Sequence, residues 1–521
     1  MEQKNLNRIF QTIIILSLLL FFALILAQSF SLATADIGRH IKNGEMVLKE
    51  HFIPRTNLYS YTYPDFPFLN HHWGSGVIFY LIYQAFGFGG FTFFQVLIGL
   101  LTLLIFFHVA WKQSGFKTPS LIALIAIPLL SSRSEIRPEM FSYLLAGVFF
   151  WILWNWRQQK ISKNWLWVLP PLLLLWVNLH IYFVFGLMLI GVFWLEAFSN
   201  RFLRGDRNFS APFNFLSLIL FLSAGFSLIN PFGLSGALAP FEIFNQYGYR
   251  VLENQSVWFL YKIIPYPQSL YFIIVFALLV LSWVYAFVAI KKGRQKFSLP
   301  LALISLIFSF LGWFMVRNFA IFGYFAIPII AINFAGLLNK PFESARDYSK
   351  FLTVFILLFG FLIFINPSFW QGRSLGWGLD RGNAAAAEFF KANNLHGPIF
   401  NNYDIGGYLT FYLFPAEPVF VDNRPEAYPV SFFQDVYVPM QEDSEKWQIY
   451  SKQYGINTIF FYRNDLTPWA QKFLITRVSD PEWAPVFVDD WNIIFVKKDG
   501  PDKEQANRLA LPPEMFQINS Q

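Results

Sequence analysis

The sequence predicts a multi-pass α-helical membrane protein of about eleven transmembrane helices, followed by a small extracytoplasmic α/β domain. Three observations predict it. Of 521 residues, 55% are hydrophobic and 14% charged, where a soluble domain carries about a quarter charged. Runs apolar enough for a bilayer recur as far as residue 365 and then stop. The basic residues fall in alternate loops between those runs. Aromatics reach 20%, with 65 Phe, which is more apolar surface than a soluble core absorbs. The absence of Cys excludes thiol catalysis, Cys-ligated zinc and iron–sulfur clusters.

The runs come in order at 10–33, 91–111, 119–130, 140–156, 165–179, 181–198, 213–229, 270–290, 299–316, 319–338 and 351–365. The first follows Lys4 and Arg8 and ends at a cleavage-like Ala33-Thr34-Ala35. It is longer than the apolar core of about 7–15 residues in a signal peptide, so it is read as a span. Several runs are shorter than the ~20 residues of an ideal span and imply tilts and breaks. Residues 76–88 are apolar but short and read as an interfacial or re-entrant helix.

With the N-terminus inside, five alternate loops carry the basic residues. They hold Lys112 and Lys117; Arg157, Lys160 and Lys163; Arg201, Arg204 and Arg207; Lys291, Lys292, Arg294 and Lys296; Lys340, Arg346 and Lys350. All fall on the cytoplasmic side, as the positive-inside rule requires. That accounts for the net charge of +7 without nucleic acid, for which no basic, aromatic-rich soluble face exists. The expected place is the cell membrane, with the C-terminal domain outside.

Past the last run the pattern changes. Helical 384–393, strand-like 398–400, helical 407–414 and the apolar runs 419–422, 458–462 and 486–496 spell a small α/β domain. The expected organisation is a bundle at 1–367 with a first outer loop at 34–75, a linker at 368–378, the α/β domain at 379–500 and a tail at 501–521.

Ionisable residues at membrane depth are costly and usually functional. Here the threading collects them on the outer face: Asp36, Arg39, His40 and Glu45; Asn70, His71, His72 and Trp73; Arg133, Glu135, Arg137 and Glu139; Asn178 and His180; Asn230; Glu242, Arg250 and Glu253; Arg317 and Asn318. Asp36 either caps the following helix or serves as general base or metal ligand. Trp73 reads as an interfacial anchor, and the histidines as a polar site. Arg133 and Arg137 either pair with Glu135 and Glu139 or take a phosphate. Arg317 has no acidic neighbour in sequence and needs a distant carboxylate or a phosphate, which its planar fork suits. Asn178 and His180 suit interhelical hydrogen bonding, and Asn230-Pro-Phe-Gly233 a turn.

In the C-terminal part, Asn401–Gly407 and Val421–Arg424 follow strand-like runs and suit turns or ligand loops. No Walker A, GxSxG, HExxH or Rossmann fingerprint occurs, so ATP or nucleotide-sugar chemistry has no site.

An outer carboxylate, His and Arg constellation suits a lipid-phosphate substrate, its phosphate at headgroup depth. The stretch Asp36-Ile-Gly-Arg-His40-Ile-Lys-Asn-Gly44-Glu45, continuing through Ile53-Pro-Arg-Thr-Asn-Leu-Tyr-Ser60 to Asn70-His-His-Trp73, resembles a bacterial branch of the GT-C superfamily. That superfamily of integral membrane glycosyltransferases includes the protein O-mannosyltransferases and the aminoarabinose transferases. Arg137-Pro138-Glu139, Asn178-Leu-His180, Asn230-Pro-Phe-Gly233 and Val421-Asp-Asn-Arg424 are similar to the same branch. His72 stands where that branch has an acid.

The resemblance implies a GT-C-like bundle and inverting hexosyl or pentosyl transfer. The donor would be a polyprenyl-phosphate-linked sugar, and the acceptor an extracytoplasmic glycan, lipid or protein. It assigns Asp36, His40 and His72 to catalysis, with Asp36 as general base. It assigns Arg39, Arg137, Arg317 and His71 to the donor phosphate. Glu45, Arg133, Glu139, Asn178, His180 and Glu253 would line the substrate site. It leaves the cofactor open; a divalent metal ion, if used, would sit at Asp36. The competing classes are a lipid-linked substrate transporter or flippase, which would place charge at the bilayer midplane, and a non-catalytic scaffold for envelope assembly.

Overall fold

The apolar runs are helices in the computed structural model, which describes residues 2–133, 135–242, 247–263, 266–337, 342–371, 373 and 375–516. Lys340, Leu338, residues 372 and 374 of the expected linker and residues 517–521 of the expected tail lie outside the described residues. The bundle runs α1 (Glu2–Leu26), α2 (Ile37–Lys49), α3 (Trp73–Ser114), α4 (Lys117–Leu130), α5 (Glu139–Arg157), α6 (Leu169–Leu179) and α7 (Val184–Phe198). It continues with α8 (Ser210–Ser227), α9 (Leu234–Glu242), α10 (Val257–Ile263), α11 (Gln268–Lys291), α12 (Leu299–Phe314), α13 (Phe319–Asn333) and α14 (Ala345–Phe364). Each predicted run falls on one of these helices. Among the described residues, seven helices are long and apolar enough to cross a membrane. The protein is a multi-pass membrane protein.

The remaining predicted spans are α4, α5, α6 and α12, of 14, 19, 11 and 16 residues. The ends of these helices position the site. α4 gives way to a helical turn that ends on Arg133. α5 opens at Glu139, α6 stops where His180 turns extended, and α12 stops just before Arg317. The polar residues break the helices, and the broken ends meet at one end of the bundle.

One sequence expectation about the bundle is corrected. The first helix ends at Leu26 rather than 33, because the next residues take partners in the C-terminal segment. Phe30 N–H donates to the Gly378 carbonyl at 3.0 Å, and Asn383 donates to Ser31 Oγ at 2.8 Å. Residues 76–88 mostly form a helical segment of their own, the first part of α3, which a break in the backbone separates from the rest. The kink comes at Gly87, whose φ of 60° is open to glycine.

The amphipathic helix α2 packs along this first part of α3. Gly44 permits the approach, since a β-carbon there would overlap the Gly76 carbonyl. We expect Gly44→Ala to cost about 1–3 kcal/mol through overpacking against backbone. Thermal unfolding in detergent checks this, and an unchanged melting temperature would exclude so tight a contact.

The C-terminal region holds α15 (Pro367–Trp370), α16 (Ala385–Ala392), α17 (Gly406–Leu413), α18 (Val438–Glu442), α19 (Ser444–Gln453), α20 (Pro468–Val478) and α21 (Lys503–Leu509). It also holds a four-stranded sheet of β1 (Ile399–Asn401), β2 (Thr458–Tyr462), β3 (Trp483–Val488) and β4 (Asn492–Lys497), in the order β1-β2-β4-β3. β1 and β2 are parallel, with Ile399 opposite Thr458; the other pairs are antiparallel.

Alternation along the strands separates two cores. Phe460, Ile494 and Val496 join the large core shared with the bundle, while Ile459, Phe461, Ile493 and Phe495 face a second, aromatic core. The run at 486–496 is thus a hairpin of β3 and β4. Its turn is fixed by Asp489 Oδ1, which accepts from the amides of Trp491 and Asn492. The run at 419–422 forms no strand of the sheet. Its Val419 instead pairs with the first loop, donating to Tyr59 O at 2.9 Å and accepting from Tyr61 N at 3.1 Å. Residues 503–509, expected in the tail, form α21 against β3 and β4.

Candidate active site

A cavity of about 520 Å³ opens where the broken helix ends meet the C-terminal region. The bundle contributes Asp36, Arg39, His40, His71, His72, Arg137, Glu139, His180, Glu253 and Arg317 to its wall. The C-terminal region contributes Tyr403, Asp404, Asn423 and Glu426.

Asp36 occupies the N-cap position of α2, but its side chain caps nothing. Its Oδ1 accepts from Asn423 Nδ2, 387 residues away, and its Oδ2 lies 3.6 Å from Arg137 Nη1. Burial raises the carboxyl's pKa, and Arg137 and Arg39 offset only part of that rise. A raised carboxylate is a better proton acceptor than free aspartate.

Among the described residues, Arg39 has no carboxylate partner; its Nε donates to Asn423 Oδ1 at 3.1 Å. It is 5% exposed, so its charge lies buried at the cavity wall. The other arginines are committed. Arg133 grips Glu139 with two bonds, at 2.8 and 2.9 Å. Arg317 finds its distant carboxylate in Glu139, at 2.9 Å, and also holds Asn254. Arg137 pairs with Glu135 at 2.5 Å and Glu253 at 2.6 Å. Burial favours neutral Glu253, but Arg133, Arg137 and Arg317 outweigh it and hold the carboxyl well below its usual range.

The histidines form a column. The ring of His72 lies 3.9 Å from that of His71, 5.4 Å from His40 and 5.1 Å from His180. Burial lowers the pKa of His40 and His72 well below the usual value and that of His71 to about 4, with nearby Arg39 adding to the effect. The column is therefore neutral at pH 7. It can pass a proton or donate one hydrogen bond per ring.

A pH dependence follows. Unfolded His71 takes up a proton near pH 6.5 and the folded residue only near 4. Its contribution to stability is therefore full above about 6.5 and lost as pH falls from there towards 4. Burial also lifts Asp404 to about 7, with Asp465 and Asp36 adding to it, and that acts with the opposite sign over the same window. The difference in melting temperature between wild type and His71→Gln, measured at pH 7.5 and pH 5, isolates the histidine. We expect wild type to lose more than the variant on acidification; equal losses would exclude the effect.

Three expected lining residues do not line this cavity. Glu45 pairs with Lys42 and Lys49 along α2, at 3.0 and 2.9 Å. Asn178 accepts from Trp73 Nε1 at 2.8 Å and so ties α6 to the start of α3. Arg133 stands behind the wall, within the arginine–carboxylate network. Asn230 bonds within its own turn, as expected. Tyr403, Asp404 and Asn423 come from the two polar clusters noted at 401–407 and 421–424. Only the folded chain brings them over Asp36.

Among the described residues, no group of three or more His, Cys, Asp or Glu is placed to hold a metal ion. Asp36 accepts from an amide and faces a guanidinium, surroundings that suit an anion's neighbourhood rather than a cation's. The residues do not fit a metal here.

The fold of this multi-pass membrane protein is shared by solved structures of other proteins. The oligosaccharyltransferase AglB of Archaeoglobus fulgidus, in complex with an inhibitory peptide and a dolichol-phosphate, matches with a TM-score of 0.61 at 11% identity, over 90% of this chain and 72% of that one. ArnT from Cupriavidus metallidurans in the apo state matches with a TM-score of 0.54 at 14% identity, over 96% of this chain and 99% of that one. ArnT bound to undecaprenyl phosphate matches at 0.51, with 12% identity and the same coverage. No protein-family profile and no curated protein matches the sequence. At these identities the likeness is one of fold, and the chemistry is argued from the residues.

Proposed function

We propose that this chain transfers a hexosyl or pentosyl group from a polyprenyl-phosphate-linked donor to an acceptor on the extracytoplasmic side of the cell membrane. The observation that carries the reading is the cavity at the polar ends of apolar helices. It combines a buried carboxylate at Asp36, neutral imidazoles and the uncommitted guanidinium of Arg39. Dolichol-phosphate and undecaprenyl phosphate in the structural neighbours support the class of donor. The alternating basic loops support an N-terminus inside and the sheet region outside.

In this reading the acceptor oxygen attacks the anomeric carbon as the bond to the phosphate oxygen breaks. The acceptor's proton passes to Asp36, with His40 and His72 beside it. Polyprenyl phosphate leaves with the electron pair, and arginine at the wall stabilises its charge. A single displacement inverts the anomeric centre and leaves no sugar on the protein.

The test is transfer by the purified chain in lipid nanodiscs, supplied with undecaprenyl-phosphate-linked hexoses and pentoses. Mass spectrometry should detect released undecaprenyl phosphate, and NMR should show the opposite anomer in the product. Donors left intact with every glycan, lipid and peptide acceptor offered would overturn the reading.

A further inference from the structure

Glu253 places its own carboxylate at a seat built for an anion. Its Oε2 accepts from Arg133 Nη1 and from Arg137 Nη1, each at 2.6 Å. The arginines stand between α4 and α5; the carboxylate arrives from the turn Leu252–Asn254. Two guanidinium donors converging on one oxygen is the arrangement that a phosphate oxygen takes between arginines.

A second observation points the same way. Arg137 Nε and Arg317 Nε are buried beside the seat and donate to nothing among the described residues. The cluster thus holds more donors than Glu253 uses, and Glu253 itself is part of the cavity wall. A phosphate ester presents more acceptor oxygens than a carboxylate and so answers donors that Glu253 leaves idle.

The turn is lightly held. Asn254 Oδ1 accepts from Arg317 Nη1 at 2.9 Å, and the Gln255 carbonyl accepts from Val316 N at 3.1 Å. Arg133 and Arg137 keep carboxylates of their own in Glu139 and Glu135, but both also donate to the one oxygen, and donors buried there cost free energy when left without an acceptor. Exchange of one anion for another is therefore the inexpensive change; leaving the seat empty is not.

We propose that the carrier's phosphate ester binds by displacing Glu253 from Arg133 and Arg137, the Leu252–Asn254 turn being an internal anion that holds the seat until the lipid arrives. The inference rests on the proposed function and specifies where its donor's phosphate sits.

Native mass spectrometry of the purified full chain tests it, with undecaprenyl phosphate and inorganic phosphate as separate probes. Glu253→Gln removes the competing charge and should bind undecaprenyl phosphate about tenfold more tightly than wild type. Asn254→Ala, which loosens the turn, should shift affinity the same way but less, and Arg137→Gln should weaken it. Trypsin cleavage after Arg250 should quicken when undecaprenyl phosphate is added. If wild type binds the lipid and Glu253→Gln binds it equally or more weakly, the displacement is overturned. Should Glu253→Gln fail to fold, Asn254→Ala decides by the same criterion. Tightening for inorganic phosphate alone would overturn the lipid carrier as occupant. No binding of undecaprenyl phosphate by wild type or any variant would overturn the proposed function itself.

Discussion

Asp36→Asn is expected to lower sugar transfer by about 10²–10⁴-fold, the range of a general base, while leaving the protein folded. The amide nearly matches the carboxylate in shape and can still accept from Asn423 through its carbonyl oxygen. It cannot take up the acceptor's proton. Its loss of charge removes an attraction to Arg137 across 3.6 Å, but Arg137 keeps Glu135 and Glu253. Transfer rate and melting temperature should therefore separate, the first collapsing and the second shifting little. Activity within about tenfold of wild type would remove Asp36 from the chemistry. In the wild type, activity should fall as acidification protonates Asp36, because only the ionised carboxylate accepts.

Asp422→Ala is expected to destabilise the protein by about 3–5 kcal/mol, the cost of leaving a buried charge unpaired. Arg424 is 1% exposed and Asp422 0%. Arg424 Nε donates to Asp422 at 2.9 Å, and Nη2 donates to Asn57 in the first loop at 2.6 Å. The guanidinium lies over the rings of Tyr59 and Phe68, 5.1 and 4.4 Å from their centres. The pair thus clamps the first loop to the C-terminal region, and Asn423 between them reaches Asp36 and Arg39. Denaturant unfolding of Asp422→Ala and of the double variant Asp422→Ala/Arg424→Met measures the effect. The double variant should recover much of the loss, because it buries no lone charge. A single variant as stable as wild type would show that Arg424 finds water.

Much of the architecture was legible locally. Apolar length gave the helices, and the position of basic residues gave a consistent threading. Short apolar runs gave strands at 399–401 and 458–462 to within a residue or two. The polar residues at helix ends gave much of the site, since Asp36, the histidines, Arg137, Glu139, Glu253 and Arg317 do converge on one cavity. Local pattern failed where a partner far along the chain decides. Nothing near Ala27–Ala35 announces that this stretch bonds to residues 376–383, so the first helix was drawn too long. Glu45 and Asn178 look like site residues for their type and depth, yet each is spent on a neighbour.

The sequence alone determined that this protein crosses a membrane many times and gathers its ionisable residues at one end. Composition and hydropathy are properties of each segment, and the bilayer sorts segments one by one. Only the tertiary structure decided which charges are free. Arg39, Arg133, Arg137 and Arg317 look alike in the sequence. In the fold three of them are neutralised by carboxylates, while Arg39 faces the cavity beside Asn423. A charge's role depends on what stands within a few ångströms of it, and here the neighbours come from loops hundreds of residues apart.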